Sequence, residues 1–243
     1  MSGCCWCGVE NLQIGSDQLF CYECGSGDPL VLLHGNGEEH SFFEKQWEYF
    51  SPTRRVLAPD SRGHGFSGRG DGELSLARFA EDLKQLRDEK EIGQTDILGF
   101  DDGAYTAMLF ALQYPERVRR LVLVGAHLNH DGYKWHMQLA HKIGMMANQG
   151  AGGLDDKAAR HSLELLKIQM EEPNLTPEQI GAIQAPTLVV AGKKDHIKEA
   201  HTKLIAASIP GAKLAILPGD HYLARHEHKV FNRTVAEFFE QTK

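Results

Sequence analysis

The stretch Asp96–Ala104, which reads DILGFDDGA, has the pattern of a segment that presents a reactive side chain. An apolar run leads into Gly-x-Asp-x-Gly, and an amphipathic segment, YTAMLFALQYPERV, follows directly. A strand, a tight turn and a helix in this order place the central turn residue at the tip of a sharp elbow, where it can act as a nucleophile. That residue is usually serine, but here it is Asp101. The sequence therefore predicts either a carboxylate nucleophile or a lost one.

Two Cys-x-x-Cys pairs, Cys4/Cys7 and Cys21/Cys24, have the residue types of a zinc ribbon. Residues 8–20 separate the pairs, which is less than the spacing of about 15–20 residues that such sites use. The second pair also lies in a segment of extended character, where side chains three residues apart point to opposite faces. We therefore expect reduced thiols on an N-terminal β-hairpin and no metal site.

Strand and helix signals alternate along the chain and must position the elbow. NLQIG and QLFCYECG predict an antiparallel pair with a turn at Ser16 and Asp17, and PLVLLHG, RVLAPD, TDILGF and RLVLVGA predict buried strands. In residues 75–93 apolar side chains recur every three or four positions, which predicts a helix that stops at Gly93. APTLVVAG, KEAHTKLIAASIP, AKLAILPG and FNRTVAEFFEQ continue the alternation. The pattern predicts an α/β fold with a mostly parallel sheet, which binds ligands at the carboxyl ends of its strands.

Residues 127–184 do not follow this alternation. KWHMQLAHKIGMMANQ and AARHSLELLKIQMEE predict helices, with a flexible joint at Gly150–Gly153. Because this helical segment lies between two predicted core strands, we expect it to be a small lid inserted into a core formed by residues 1–126 and 185–243. Such lids exclude water and shape the substrate pocket.

The expected lid offers an apolar lining. Tyr133 and Trp135 are predicted substrate contacts, together with three methionines, Met137, Met145 and Met146. The alternative for each side chain alone is that it only packs the lid onto the core.

Four motifs occur in a fixed order: LLHGNG at 32–37, DSRGHGFS at 60–67, GFDDG at 99–103, and the late pair AGKKDHIKEAH and PGDHYLA. Through them the chain resembles the α/β-hydrolase fold superfamily over residues 12–239, and it is similar to the small, short-lidded bacterial members. The resemblance implies a mostly parallel eight-stranded sheet with helices on both faces and a small helical lid. It also implies a triad in the order nucleophile, acid, histidine, which selects Asp101, Asp195 and His221.

Each partner in this implied triad has a chemical role and a structural alternative. His221 follows the strand segment LAILPG, and histidine is the natural general base near neutral pH. Because the chain has 13 histidines, only chain order distinguishes this one. Asp195 would accept the other ring N–H of His221 and fix its tautomer. Alternatively, Asp195 caps the helix that follows it.

The resemblance further implies an oxyanion hole made by the main-chain N–H groups of Asn36 and Asp102. Gly35 and Gly37 flank Asn36 and let the backbone approach a ligand closely, so Gly35 is a predicted substrate contact. The side-chain amide of Asn36 is another candidate donor to a developing anion. Four polar residues are expected to organise loops and not to react: His34, Arg62, His64 and Ser67.

An aspartate nucleophile limits the reaction class. It would attack an electrophilic carbon of a small, largely apolar molecule and form an ester, which water activated by His221 would hydrolyse. The resemblance implies dehalogenase-like or epoxide-hydrolase-like chemistry for this substitution. A halide would need donors, for which Asn36 and Trp135 are candidates, whereas the Asp102 carboxylate would repel it. A haloacetate enzyme would need arginines after the elbow, which DGAYTAM lacks, and an epoxide hydrolase would need lid tyrosines, of which residues 127–184 hold one, Tyr133.

Two alternatives stay open. Relatives that read GFSDGG are serine hydrolases, so Asp101 can stand where their serine stood and leave low or no turnover. The chain could otherwise be a non-catalytic protein that binds a small ligand or a protein partner.

Composition and charge narrow the choice of partners. The 243 residues carry a net charge of −7 with a pI near 6.0, which argues against nucleic acid and anionic membranes. No apolar run reaches the ~18–20 residues that span a bilayer, and MSGCCWCGVE has no signal-peptide pattern. We expect a cytoplasmic monomer or homodimer that acts on a small molecule. No cofactor is expected, because no nucleotide fingerprint occurs.

Overall fold

The computed structural model describes residues 7–14, 17–150, 157–172 and 174–242. Eight strands form one sheet, β1 (Cys7–Ile14), β2 (Asp17–Cys24), β3 (Asp28–Leu33), β4 (Arg54–Pro59), β5 (Thr95–Phe100), β6 (Val118–Val124), β7 (Thr187–Lys194) and β8 (Lys213–Asp220). Their spatial order is β1-β2-β4-β3-β5-β6-β7-β8. Strand β2 runs antiparallel to both of its neighbours, and all other pairs are parallel. The predicted eight-stranded, mostly parallel sheet is confirmed.

Helices cover both faces of the sheet. They are α1 (Glu44–Phe50), α2 (Leu76–Glu89), α3 (Asp102–Gln113), α4 (Trp135–Gly150), α5 (Lys157–Glu171), α6 (Pro177–Ile180), α7 (Glu199–Ser208), α8 (Leu223–His226) and α9 (His228–Gln241). Three short 3-10 turns complete the set, His40–Phe43, Pro115–Arg117 and His130–Gly132. No described helix has both the length and the apolar character that a bilayer span requires.

Each face of the sheet buries its own apolar core. Helices α2, α3 and α7 pack on one face, where the predicted apolar stripe of α2 is buried. Helices α8 and α9 pack on the other face. Because successive strand residues alternate between faces, Cys21 lies in the first core and Cys24 in the second. The two thiols therefore cannot converge on one ion. Cys4 lies outside the described residues.

Helix α2 ends earlier than predicted. The side chain of Ser75 caps its start by accepting a hydrogen bond from the Arg78 N–H at 3.1 Å, as capping residues do. Its last residue is Glu89, whereas the sequence predicted a stop at Gly93. The chain leaves the helix through Glu91, which has a φ of 51°, so a non-glycine residue makes the left-handed turn.

The segment between β6 and β7 is helical. It contains α4, α5 and α6, and only the isolated bridge residues Asn129, Tyr133 and Asn174 make β-type contacts among its described residues. Of the predicted joint at Gly150–Gly153, only Gly150 is among the described residues. Of the predicted turn at Ser16 and Asp17, only Asp17 is described, as the first residue of β2. The division into core and lid stays a prediction.

Candidate active site

The elbow lies where β5 passes into α3. Asp101 is the residue before α3 and has a φ of 52° and a ψ of −117°. Glu91 is the only other non-glycine residue with a positive φ in the described parts of the chain. A Cβ on Gly103 would lie 2.1 Å from the carbonyl oxygen of Leu33, so α3 starts directly against β3. This packing enforces a strained turn that holds Asp101 at the carboxyl end of the sheet.

His221 and Asp195 form a buried hydrogen-bonded pair beside the elbow. Asp195 follows β7, His221 follows β8, and their Oδ1 and Nδ1 atoms are 2.7 Å apart. Asp195 is itself held by the main-chain N–H groups of Ile197 and Gly192, at 2.9 Å and 3.3 Å. These contacts orient the His221 ring with Nε2 toward Asp101.

The contact between Asp195 and His221 shifts the pKa values of both residues. Burial by itself lowers the pKa of His221, but the hydrogen bond and charge of Asp195 outweigh burial and raise that pKa. Burial likewise raises the pKa of Asp195, but the hydrogen bond and charge of His221 outweigh it and lower that pKa. The arrangement stabilises the imidazolium that forms when His221 accepts a proton.

Asp101 is held by Tyr133 and not by His221. His221 Nε2 lies 3.8 Å from Asp101 Oδ1, beyond hydrogen-bond distance. The Tyr133 hydroxyl donates to the same oxygen at 3.0 Å and accepts from the Gln169 side-chain amide at 3.1 Å. Burial and the charge of Asp101 raise the pKa of Tyr133 well above its usual value, so the hydroxyl keeps its proton. His127 adds a third contact, with Nδ1 at 3.6 Å from Asp101 Oδ1.

The side chains of Asn36 and Asp102 bind each other. Asn36 Nδ2 donates to Asp102 Oδ2 at 2.8 Å and to the carbonyl oxygen of Leu165 at 3.0 Å. The expectation that this side-chain amide donates to a developing anion is therefore wrong, because both contacts occupy it. The main-chain N–H of Asp102 is different, because it belongs to the first turn of α3 and has no acceptor within the helix.

Gly35 lies against the elbow. A Cβ at Gly35 would be 2.9 Å from Asp101 Cβ and 3.0 Å from a ring carbon of Phe100. The loop that follows β3 can therefore reach Asp101 only because this position has no side chain.

Comparison with known proteins agrees with this fold. A sequence model of the family described as alpha/beta hydrolase fold matches residues 28–151. The chain belongs to the alpha/beta hydrolase fold family. It is 42% identical over 108 residues to the 2-hydroxymuconate semialdehyde hydrolase of Pseudomonas putida, a match of 43% of this chain and 38% of that protein. It is 26% identical over 236 residues to the mouse serine hydrolase BPHL, covering 89% and 81% of the two chains.

The solved structure of a hydrolase from Pseudomonas aeruginosa is also similar. Its TM-score is 0.80 with 26% identity, and the match covers 95% of this chain and 98% of that one. The chain spans only 38–40% of the length of three curated relatives that it matches.

Within this alpha/beta hydrolase the loop residues are structural, as predicted. His34 Nδ1 lies 2.8 Å from the carbonyl oxygen of Gly35, and its Nε2 accepts the Ser61 N–H at 2.9 Å. Arg62 forms a buried two-bond ion pair with Asp82. The remaining two predicted loop residues bond to main-chain atoms: His64 with the Arg62 carbonyl oxygen, and Ser67 with the Asp60 carbonyl oxygen and the Phe20 N–H.

Trp135 is largely exposed. Its side chain is 73% exposed at the start of α4, and Met146 on the same helix is 63% exposed. The contact of these two residues with substrate stays a prediction. Tyr133, only two residues earlier, is buried against Asp101 because the chain there pairs with Ile197 before α4 begins.

Three residues of the alpha/beta hydrolase site were not predicted. His127 is fully buried beside both elbow aspartates, and burial lowers its pKa to about 4, so it is neutral at pH 7. His196 stacks on His221 with ring centroids 5.0 Å apart. Gly125 contacts the His221 ring so closely that a Cβ would lie 2.7 Å from Cε1. Two of them, Gly125 and His127, follow the end of β6 directly, where ligand-binding residues of such sheets concentrate.

Proposed function

We propose that this chain is a hydrolase in which Asp101 is the nucleophile and His221 activates the hydrolytic water. The observation that carries the proposal is the 3.8 Å separation between His221 Nε2 and Asp101 Oδ1. A serine would need a hydrogen bond to its base before attack, whereas an ionised carboxylate needs none. The same separation leaves His221 free to hold a water molecule for the second step.

The proposed reaction has two steps. Asp101 Oδ2, which receives no hydrogen bond from the described residues, attacks an electrophilic carbon, and the bond from that carbon to its leaving atom breaks with the electron pair. His221 then removes a proton from water, and the resulting hydroxide attacks Cγ of the Asp101 ester. The main-chain N–H groups of Asn36 and Asp102 are the proposed donors to the tetrahedral oxyanion. Collapse releases the alcohol and restores the carboxylate, and the proton held by His221 passes to the group that protonated the leaving atom.

An epoxide fits the site better than a haloalkane. Of the two halide donors that the sequence suggested, the Asn36 side chain is occupied by Asp102 and Leu165, and Trp135 is exposed. Tyr133 instead places a protonated hydroxyl 3.0 Å from the nucleophile, and Gln169 orients it. A phenol in this position can give its proton to a departing ring oxygen. We therefore propose a small, largely apolar epoxide as the substrate.

The test is to trap the ester. A His221→Gln variant should accumulate an adduct when it is incubated with small aryl or alkyl epoxides, because attack proceeds while hydrolysis lacks its base. Intact mass should increase by the full mass of the epoxide, and peptide mapping should place the increase on Asp101. A matched His221→Gln/Asp101→Asn variant should give no adduct. A folded His221→Gln protein that remains unmodified by every epoxide and haloalkane tested contradicts the proposal.

A second candidate is an ester hydrolase whose serine has been replaced by Asp101. The similarity to the mouse serine hydrolase, over 89% of this chain, favours it. In that case Asp101→Ser should gain hydrolysis of p-nitrophenyl esters, and the parent chain should form no alkyl adduct.

A further inference from the structure

Asp101, Asp102 and His127 form a buried cluster that the proposed hydrolysis does not fully use. One ligand atom from each residue can be chosen so that all three lie within 4.8 Å of one another. His127 Nδ1 is 3.6 Å from Asp101 Oδ1, and His127 Nε2 is 3.9 Å from Asp102 Oδ1. Ligands of a tetrahedral ion at 2.0–2.2 Å are about 3.4 Å apart, so closing this set on one ion needs a contraction of up to about 1.4 Å.

Asp102 Oδ1 lacks a partner. Asp102 is 4% exposed, and its Oδ1 is fully buried without a hydrogen bond from the described residues. Its other oxygen is fixed by Asn36, which is itself anchored on the Leu165 carbonyl oxygen. A buried carboxylate oxygen without a donor is costly, and a cation would satisfy it. The bond from Asn36 would act as the outer support that orients a metal ligand.

The local charge is also unbalanced. Asp101, Asp102 and Asp195 are buried together, and none of them forms an ion pair with lysine or arginine in the described part of the chain. Of the two histidines beside these carboxylates, His221 bonds to Asp195, and His127 is neutral at pH 7. Asp101 and Asp102 therefore lie side by side without a lysine or arginine partner among the described residues.

We propose that Asp101, Asp102 and His127 bind a divalent transition-metal ion. An imidazole with two carboxylates suits zinc or manganese, and the Tyr133 oxygen, 3.0 Å from Asp101 Oδ1, is close enough to act as a fourth ligand. A second cluster, Glu39, His40 and Asp60, differs because both oxygens of Asp60 already accept hydrogen bonds. A metal on Asp101 Oδ1 would draw electron density from the carboxylate and so weaken Oδ2 as a nucleophile, and metal binding and epoxide attack would therefore compete.

Calorimetric titration of the full chain with Zn²⁺ at pH 7, after treatment with a chelator and desalting, tests this site. We expect one tight equivalent. Loss of one ligand in Asp102→Asn or His127→Gln should weaken it by about 100-fold or more, and Asn36→Ala should weaken it by about 10- to 100-fold through lost orientation. Glu39→Gln, in the second cluster, should leave the tight equivalent unchanged. Bound Co²⁺ should give the strong visible absorption of a four-coordinate site.

Zinc binding that is identical in the wild-type and Asp102→Asn proteins, or only weak multiple binding by exposed histidines, would overturn the proposal. Circular dichroism shows whether each variant is folded, and the Co²⁺ spectrum of the wild-type protein does not depend on any variant. The titration needs no turnover, so its failure is separate from failure of epoxide trapping. If both proposals hold, Zn²⁺ should suppress adduct formation in His221→Gln.

Discussion

Replacing Gly125 with alanine should slow hydrolysis of the Asp101 ester without slowing its formation. The new Cβ would lie 2.7 Å from His221 Cε1, which is 0.7 Å short of the 3.4 Å at which ordinary contacts begin. It would also lie 3.0 Å from Nδ1, the atom bonded to Asp195. The ring must therefore move by several tenths of an ångström or give up that bond.

The expected magnitude follows from this displacement. A misplacement of roughly 1 Å in a catalytic group can cost about 100-fold in rate, so we expect a decrease of that order in the hydrolytic step. Attack by Asp101 needs no base and should keep its rate. The variant should therefore accumulate the alkyl ester during turnover, as His221→Gln does. Quenched-flow mixing followed by intact mass measures both steps separately.

Gly211→Ala is the matched control. Gly125 and Gly211 have similar positive φ values, 58° and 69°, so alanine at either position costs roughly 1–2 kcal/mol of backbone strain. A Cβ on Gly211 meets no atom within 4 Å. Gly211→Ala measures the loss of stability from backbone strain alone, and Gly125→Ala should lose more in urea because it adds the contact with His221. Only Gly125→Ala should accumulate ester. Wild-type hydrolysis by a folded Gly125→Ala protein would refute the assignment of His221 as the base.

Four further predictions concern single hydrogen bonds and titrations. Tyr133→Phe should lose about 1.5–3 kcal/mol of unfolding free energy at pH 7, because the hydroxyl of Tyr133 donates its hydrogen bond to a carboxylate. The variant should also slow adduct formation with epoxides more than with haloalkanes. Equal slowing would contradict the role of Tyr133 as an acid. The hydrolytic step should rise with pH through a midpoint above 6.5, because the pKa of His221 is raised and its neutral form is the base. The contribution of the Asp195–His221 pair to the free energy of unfolding should be greatest between about pH 4 and 6.5. Below that range the Asp195 carboxylate protonates, and above it the His221 ring deprotonates, so the contribution is lost on both sides. A constant difference in stability between the wild-type and His221→Gln proteins from pH 4 to 9 would contradict this. Burial lowers the pKa of His34 to about 3, so neutral His34 should favour the folded state fully above pH 6.5. The free energy of unfolding should fall by up to about 1.4 kcal/mol per pH unit as the pH drops toward 3. His34→Gln should flatten that slope in urea titrations.

Local patterns were enough to predict the sheet. The strands β3, β5 and β6 are short apolar runs because helices cover both of their faces, and such runs can be read without knowing their neighbours. The end of α2 was predicted wrongly because Glu91 has a left-handed backbone conformation, which glutamate rarely adopts and which the sequence therefore did not indicate. Glycine at position 93 looked like the stop, although the helix had already ended.

The order of Asp195 and His221 along the chain identified them, since both follow strands at the carboxyl edge of the sheet. The contacts of Asp101 were harder to predict. Tyr133 and Trp135 are two residues apart and both aromatic, yet one is buried on the nucleophile and the other is exposed. The difference in their burial comes from the bridge between Tyr133 and Ile197, which are far apart in the sequence. The spacing of residues within the segment does not predict that bridge.

His127 shows which further inference from the sequence was possible. It is one of 13 histidines, and its neighbours in the chain are not acidic, so residue type and spacing do not distinguish it. It does lie three positions after the last residue of β6, on the strand next to the one that carries the elbow. Side chains that follow adjacent parallel strands meet at one edge, so β5 and β6 together bring Asp101 and His127 to 3.6 Å. A search of strand ends, applied before any motif, would have found this histidine and the excess of carboxylates around it.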